Sequence, residues 1–284
     1  MDKKAVIALL SATVLLGSSG VFIKQVDMPA SSLSFIRMGV PLALVSLYLI
    51  ATRKAIFATA TRTLWLASGL NALRMAFFFT AYIFTTISNA VLVSYTWPIF
   101  AAVFSFFILK EQLSLRQGGL LFLSFMGIVL VYINEELHFQ NRDFIGMTAA
   151  LASAMGYALS IVLFKKEAGK YAPQEMVFYQ NFLGAFIFLP FFLLHRPWPA
   201  WWEGGLIATY AFLIGLVGFG LFFYALKRLP ATQAAMLSYV EIISALAFGI
   251  FLLGEKLSWN VIAGGSLIVL SSALLRLYPG TGRT

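Results

Sequence analysis

Ser94-Tyr95-Thr96-Trp97-Pro98 opens an apolar run that closes on Lys110-Glu111-Gln112-Leu113-Ser114. The run returns at 238–258, opening Ser238-Tyr239-Val240-Glu241-Ile242 and closing Gly254-Glu255-Lys256-Leu257-Ser258. At an offset of 144, ten of the twenty-one positions are identical. Each copy is a helix-length stretch that starts Ser-Tyr and ends Glu-x-Leu-Ser. A unit carried twice decides an architecture before any single residue does.

Composition says what surrounds that unit. The 284 residues are 61% hydrophobic and 11% charged, with a mean hydropathy of +0.89. Soluble domains run at roughly 45–50% apolar and about 25% charged, so this much apolar surface needs lipid to cover it. The net charge of +9 does not point to nucleic acid, because no basic stripe with interleaved aromatics occurs. There is no cysteine, and His138 and His195 stand at span edges without ligand-spaced partners. No metal, cofactor or enzymatic activity is expected.

Spans of about 20 apolar residues cross a bilayer as helices. Ten such runs stand out, near 5–23, 31–51, 64–84, 90–109, 117–133, 144–164, 175–194, 205–226, 232–253 and 259–276. The first could pass for a cleaved signal peptide. However, Leu16-Gly17-Ser18-Ser19 through Lys24 has a counterpart in Tyr157-Ala158 through Lys165, so the expectation is that it is retained.

With an inside N-terminus, the inner segments hold fourteen of the basic residues and the outer ones four, Lys24, Arg142, Arg196 and Lys256. The positive-inside rule then places both termini in the cytoplasm. Five helices per repeat is an odd number, so the second repeat enters upside-down. The expected fold is an all-α polytopic protein of ten transmembrane helices, with inverted repeats over 1–137 and 138–284. Inverted repeats are the mark of carriers in which one half rocks against the other about a midplane site.

The chain resembles the drug/metabolite transporter superfamily, in particular its ten-helix EamA-type members. The resemblance rests on the two five-helix halves and on Phe78–Glu111 matched by Phe222–Glu255. It also rests on Tyr224-Ala225-Leu226-Lys227-Arg228-Leu229-Pro230-Ala231, close to a pattern that ends the family's eighth helix. The first repeat departs from that pattern, reading Tyr82-Ile83-Phe84-Thr85-Thr86 with no basic residue. The second has no proline after Glu241. The resemblance implies a carrier of the cytoplasmic (inner) membrane, commonly an exporter of amino acids or other small metabolites. It also implies a cavity among helices 1–4 and 6–9, with helices 5 and 10 set aside.

Three ionisable residues lie inside the spans, where a charge is costly and tends to face an interior path. Glu241 lies roughly 13–15 Å deep and Arg74 at a similar depth. Without a cationic partner Glu241 would take up a proton, whereas beside Arg74 it would stay ionised. Arg74 offers a bidentate fork to a carboxylate, or simply ties helix 3 to helix 9. Asn71, three positions away, shares its face. Arg37 is shallower and is expected to snorkel to the outer interface, with a binding role as the alternative.

Tyr95 and Tyr239 are repeat equivalents, and Trp97 occupies the place of Glu241. These aromatics either hold a solute or pack, and on a continuous helix Tyr95 and Trp97 cannot face one point. Pro98 removes a backbone bond from helix 4. Gly17–Gly20 and the Gly215, Gly218 and Gly220 series permit close helix contact, and Trp198, Trp201 and Trp202 form an interfacial belt.

The functional expectation is a secondary transporter exporting an amino acid or similar amphipathic solute by alternating access, with protons as a candidate co-substrate. The substrate-binding candidates are Glu241, Arg74, Tyr95, Tyr239, Trp97, Asn71 and Arg37. The expected partners are a small-molecule substrate and the lipid bilayer, with no nucleic acid, and the protein is a monomer or homodimer. One alternative is a carrier of organic cations such as quaternary amines. A remoter one is a non-transporting accessory or sensor subunit.

Overall fold

A computed structural model describes residues 2–26, 28–53, 60–85, 87–131, 133, 141–194, 200–253 and 259–275. His138, His195, Trp198, Glu255, Lys256 and the 137/138 repeat boundary lie outside the described residues. All ten expected runs are helical. They are α1 (Lys3–Gly17 with Ser19–Lys24), α2 (Ala30–Ala51), α3 (Arg62–Phe84) and α4 (Ile87–Ser94, Trp97–Phe104 and the π-helical Ser105–Leu109). Next come α5 (Leu115–Val131), α6 (Asn141–Glu167) and α7 (Pro173–Leu194). The last three are α8 (Trp201–Tyr210, π-helical Ala211–Gly218 and Phe219–Arg228), α9 (Ala231–Leu237 with Val240–Leu253) and α10 (Trp259–Leu275).

By length and composition, six of these, α2, α3 and α6 to α9, can cross a membrane as described. α1 and α4 are interrupted, while α5 and α10 are shorter. Apolar side chains such as Leu47, Ile50, Phe107, Phe186 and Phe251 stand exposed on the outside of the bundle. In a chain of this hydropathy they face hydrocarbon, where helices satisfy their own backbone groups.

Three spans break in mid-course, and each break carries a hydroxyl that folds back on a carbonyl of the preceding turn. Ser18 Oγ donates to Leu15 O at 2.6 Å in α1, and Ser19 donates to Leu16 O beside it. Thr96 Oγ1 donates to Val93 O at 2.6 Å in α4, and Ser238 Oγ to Ala234 O at 2.8 Å in α9. Such bonds compete with the helical ladder. In α4, Pro98 adds a missing donor two residues further on.

Packing follows an exchange of halves. α1 lies on α8 as α6 lies on α3, and α9 lies on α1 as α4 lies on α6, while α2 pairs with α7 and α5 with α10. These are the contacts a pseudo-two-fold axis between five-helix units produces. α5 and α10 meet through small residues. A Cβ on Gly127 would lie 2.7 Å from Gly264 O, and Ser124 Oγ meets Ser271 Oγ at 2.5 Å. Close backbone approach of this kind is how helices adhere where lipid is as apolar as leucine.

Candidate functional site

Glu241 sits where α9 restarts. The chain turns at Ser238–Tyr239, and Glu241 falls in the first turn of Val240–Leu253. Its own N–H donates to Ser238 O at 3.0 Å. The positive end of a helix dipole favours a carboxylate there. α1 comes close alongside. A Cβ on Gly17 would lie 2.7 Å from Glu241 O and 2.8 Å from Ala245 N, and Ser244 Oγ bridges Thr13 O at 3.0 Å and Glu241 O at 2.8 Å. Gly17 is therefore required for the approach that presents Glu241 to the interior.

Arg74 comes from unbroken α3. Its Nε donates to Asn71 Oδ1 at 3.1 Å, and Asn71, almost fully buried, donates through Nδ2 to Gln180 O of α7 at 2.9 Å. The Arg74 guanidinium lies over the Tyr157 ring of α6 at 4.2 Å from the centroid. Gly156 makes room, since a Cβ there would stand 3.1 Å from Arg74 Cβ.

Arg37 does not snorkel outward. Its guanidinium lies 5.0 Å from the centroid of the Phe219 ring in α8 and acts on both Glu241 and Arg74. Helix packing accounts for this departure. Pro41, four residues on, has no N–H to give to Arg37 O, and α8 closes against that carbonyl. A Cβ on Gly215 would lie 2.8 Å from Arg37 O. That approach brings Phe219, itself buried, within reach of the Arg37 guanidinium.

Glu241 accepts a hydrogen bond from the Tyr95 side chain and feels both arginines. Tyr210 of α8, bonded to Ser19, belongs to the same set. Trp97 packs edge-on to Tyr157 at 4.8 Å, so it reaches the cluster through the ring that carries Arg74. Tyr95 and Trp97 both contribute because α4 is interrupted between them. Tyr239 lies elsewhere. It is fully buried in the apolar core, its hydroxyl without a hydrogen-bond partner among the described residues.

The structure thus gathers Arg37, Asn71, Arg74, Tyr95 and Glu241, with Trp97 behind Tyr157. Tyr157 and Tyr210 were not singled out in the sequence, where nothing marks them among 28 Phe, 11 Tyr and 6 Trp. Arg37, Arg74, Tyr95, Tyr157 and Glu241 are each only part-buried, so the cluster is not sealed. Among the described residues no group of side chains is suited to a metal ion.

The two family-type glutamates were read as marks of a repeat, and one of them is now placed. Lys110 adopts the left-handed conformation (φ 58°), and Glu111 turns onto the start of α9. Its carboxylate accepts from Ala231 N at 2.7 Å, Thr232 N at 3.0 Å and Thr232 Oγ1 at 3.0 Å. A first-repeat residue therefore caps a second-repeat helix. Around it, Lys165 Nζ donates to Leu226 O at 2.7 Å, Lys227 Nζ donates to Tyr171 O at 3.1 Å, and Arg228 Nε lies 3.7 Å from Asp2 Oδ2. These contacts close one face of the bundle. Nearby, an apolar groove of about 520 Å³ runs between α2, α7 and α8, lined by Leu44, Tyr48, Val177, Leu216 and Tyr224.

A bundle of paired five-helix units with opposed charges in its interior is the build of a membrane carrier. The EamA-like transporter family model matches the chain twice, over residues 3–133 and 144–277. The chain belongs to that family, within the drug/metabolite transporter superfamily, and is a multi-pass membrane transporter. It is 27% identical over 264 residues to an uncharacterized transporter of Archaeoglobus fulgidus, spanning 92% of both chains. It is 24% identical over 195 residues to the S-adenosylmethionine uptake transporter of Rickettsia prowazekii, covering 68% of this chain and 63% of that one. A solved crystal structure, 18% identical, superposes with a TM-score of 0.86 over 98% of both chains, which speaks for the fold.

Proposed function

We propose that this chain exports a small amphipathic metabolite bearing a carboxylate, an amino acid or a solute like it, across the cytoplasmic membrane by alternating access. Arg74 receives the carboxylate in a fork, Glu241 takes the ammonium group or a proton, and Tyr157 with Trp97 borders the apolar part. The two repeats, 1–137 and 138–284, lie inverted with both termini in the cytoplasm. One observation carries this reading: Arg74 is held inside the bundle by Asn71 at 3.1 Å and over Tyr157 at 4.2 Å, with Glu241 among its charged neighbours, and charges within a span are costly to keep without use.

The test is flux of labelled amino acids into liposomes holding the purified protein, with internal pH followed at the same time. Arg74→Ala and Glu241→Gln should each lower the rate by roughly tenfold or more, as removal of one partner of a buried charged bond does. Unchanged rates in both variants remove the site. Inside-out labelling checks the orientation, and termini on opposite faces would rule out the inverted arrangement.

Carriage of an organic cation is the second reading, favoured by the relative named for S-adenosylmethionine uptake. Competition by quaternary amines against competition by amino acids separates the two.

A further inference from the structure

Two guanidinium groups and a single carboxylate are charged neighbours in the cluster, Arg37 beside Phe219 and Arg74 beside Tyr157 and Asn71. Arg37 and Arg74 both act on Glu241, and each also acts on the other. The remaining ionisable neighbours, Tyr157 and Tyr210, are phenols. With both arginines and Glu241 charged, the set carries one uncompensated positive charge. Within membrane spans such a charge calls for a partner.

The arginines are also poised to bond. Each guanidinium has an aromatic face against it, Tyr157 under Arg74 and Phe219 under Arg37. A ring contact of this kind uses none of the N–H donors of a guanidinium in a conventional hydrogen bond. Arg74 uses only Nε, toward Asn71, and the Arg37 guanidinium makes no hydrogen bond among the described residues. Glu241 by contrast is engaged. It accepts from Tyr95 and lies at a helix start. An acidic group meets two forks of suitable shape.

We infer that the solute taken here is an organic anion held by Arg37 and Arg74 together, and that with Glu241 ionised its acidic charges exceed its ammonium charges by one. This rests on reading the cluster as the substrate site. It narrows the substrate from any carboxylate-bearing metabolite to two kinds: a carboxylic acid without an amine, and an amino acid with a second acidic group.

The test is ligand-dependent thermal stabilisation of the purified full-length protein, using solutes that keep one skeleton and change only charge. Phenylpyruvate, phenylalanine and phenethylamine form one series, aspartate and asparagine another, and S-adenosylmethionine stands as a further cation. Phenylpyruvate or aspartate, or both, should bind roughly tenfold or more tighter than the net-neutral counterpart, phenylalanine or asparagine. Which of the two does so separates the two kinds of anion.

Arg37→Gln should erase that preference, and Arg37→Lys should keep it at lower affinity. Glu241→Gln should move the optimum toward the doubly charged succinate, a shift that a merely structural carboxylate would not cause. The inference is overturned if phenylalanine, asparagine or a cation binds as tightly as the anions, or if neither anion binds. In the first case, amino-acid binding still weakened by Arg74→Ala keeps the carboxylate reading. Binding that Arg74→Ala leaves untouched removes both.

Discussion

The broken spans α4 and α9 start from nearly the same sequence and serve opposite chemistry. Both turn at the Ser-Tyr opening, α4 over Tyr95-Thr96 and α9 over Ser238-Tyr239, yet α4 places Trp97 where α9 places Glu241. Around Trp97 the neighbours are Ala154, Ala158 and Ala101, an apolar lining. Around Glu241 they are two arginines and a tyrosine hydroxyl. Even the flanking helices differ. Ala158 of α6 is equivalent to Gly17 of α1; the alanine packs in one apolar cluster with Trp97, whereas a Cβ on Gly17 would meet the restarted backbone at 2.7–2.8 Å. Duplication has kept the hinge-like interruption and divided the roles, with packing on one side and charge on the other.

That division can be broken most forcefully at Trp97. Trp97→Ala should cost about 3–5 kcal/mol, the usual loss for a buried tryptophan, read as a fall in thermal midpoint in detergent. A variant as stable as the parent would mean that Trp97 is not the structural partner of Tyr157. Next comes the equivalent pair on the flanking helices. Gly17→Ala should destabilise by roughly 1–3 kcal/mol through overpacking against Glu241 and Ser244, while Ala158→Gly should lose about 1 kcal/mol from helix propensity. Equal effects would erase the asymmetry between the two contacts.

The capping of α9 by Glu111 predicts a smaller effect. Glu111→Ala should cost about 0.5–2 kcal/mol, and faster hydrogen exchange confined to Ala231 and Thr232 would locate the loss. Exchange spread evenly over the bundle would argue against a local cap. The smallest effect belongs to a contact between the repeat-equivalent helices α5 and α10. Ser271→Ala should cost about 0.6 kcal/mol, as a single interhelical bond in a membrane does. A loss several times larger would show that α5 and α10 depend on the bond rather than on the glycine approach.

Much of this was open to reading from residues alone. The ten helices follow from apolar run length, and Arg74, Asn71 and Glu241 from the cost of polar groups at depth. The interruptions were not, because Tyr95-Thr96 and Ser238-Tyr239 contain no strong helix breaker. They become breaks through hydroxyl bonds visible only once the turn exists. The tyrosines show the consequence. Repeat symmetry put Tyr95 and Tyr239 in like positions, but the break in α9 falls one residue earlier, worth about 100° of rotation. One hydroxyl reaches Glu241 and the other is sunk in the core. Arg37 was misjudged because depth along one helix says nothing of Pro41 and Gly215 drawing α8 against it.

The π-helical stretch Ala211–Gly218 gives α8 slack within a single rod. A wide turn of this kind accommodates one residue more than an α-turn does. Tightening it would rotate everything downstream by about 100° and swing Phe219 out from beneath Arg37 without parting the backbone. The aromatic beside Arg37 thus follows a turn whose phase can change, which would tie the proposed anion site to the twist of α8.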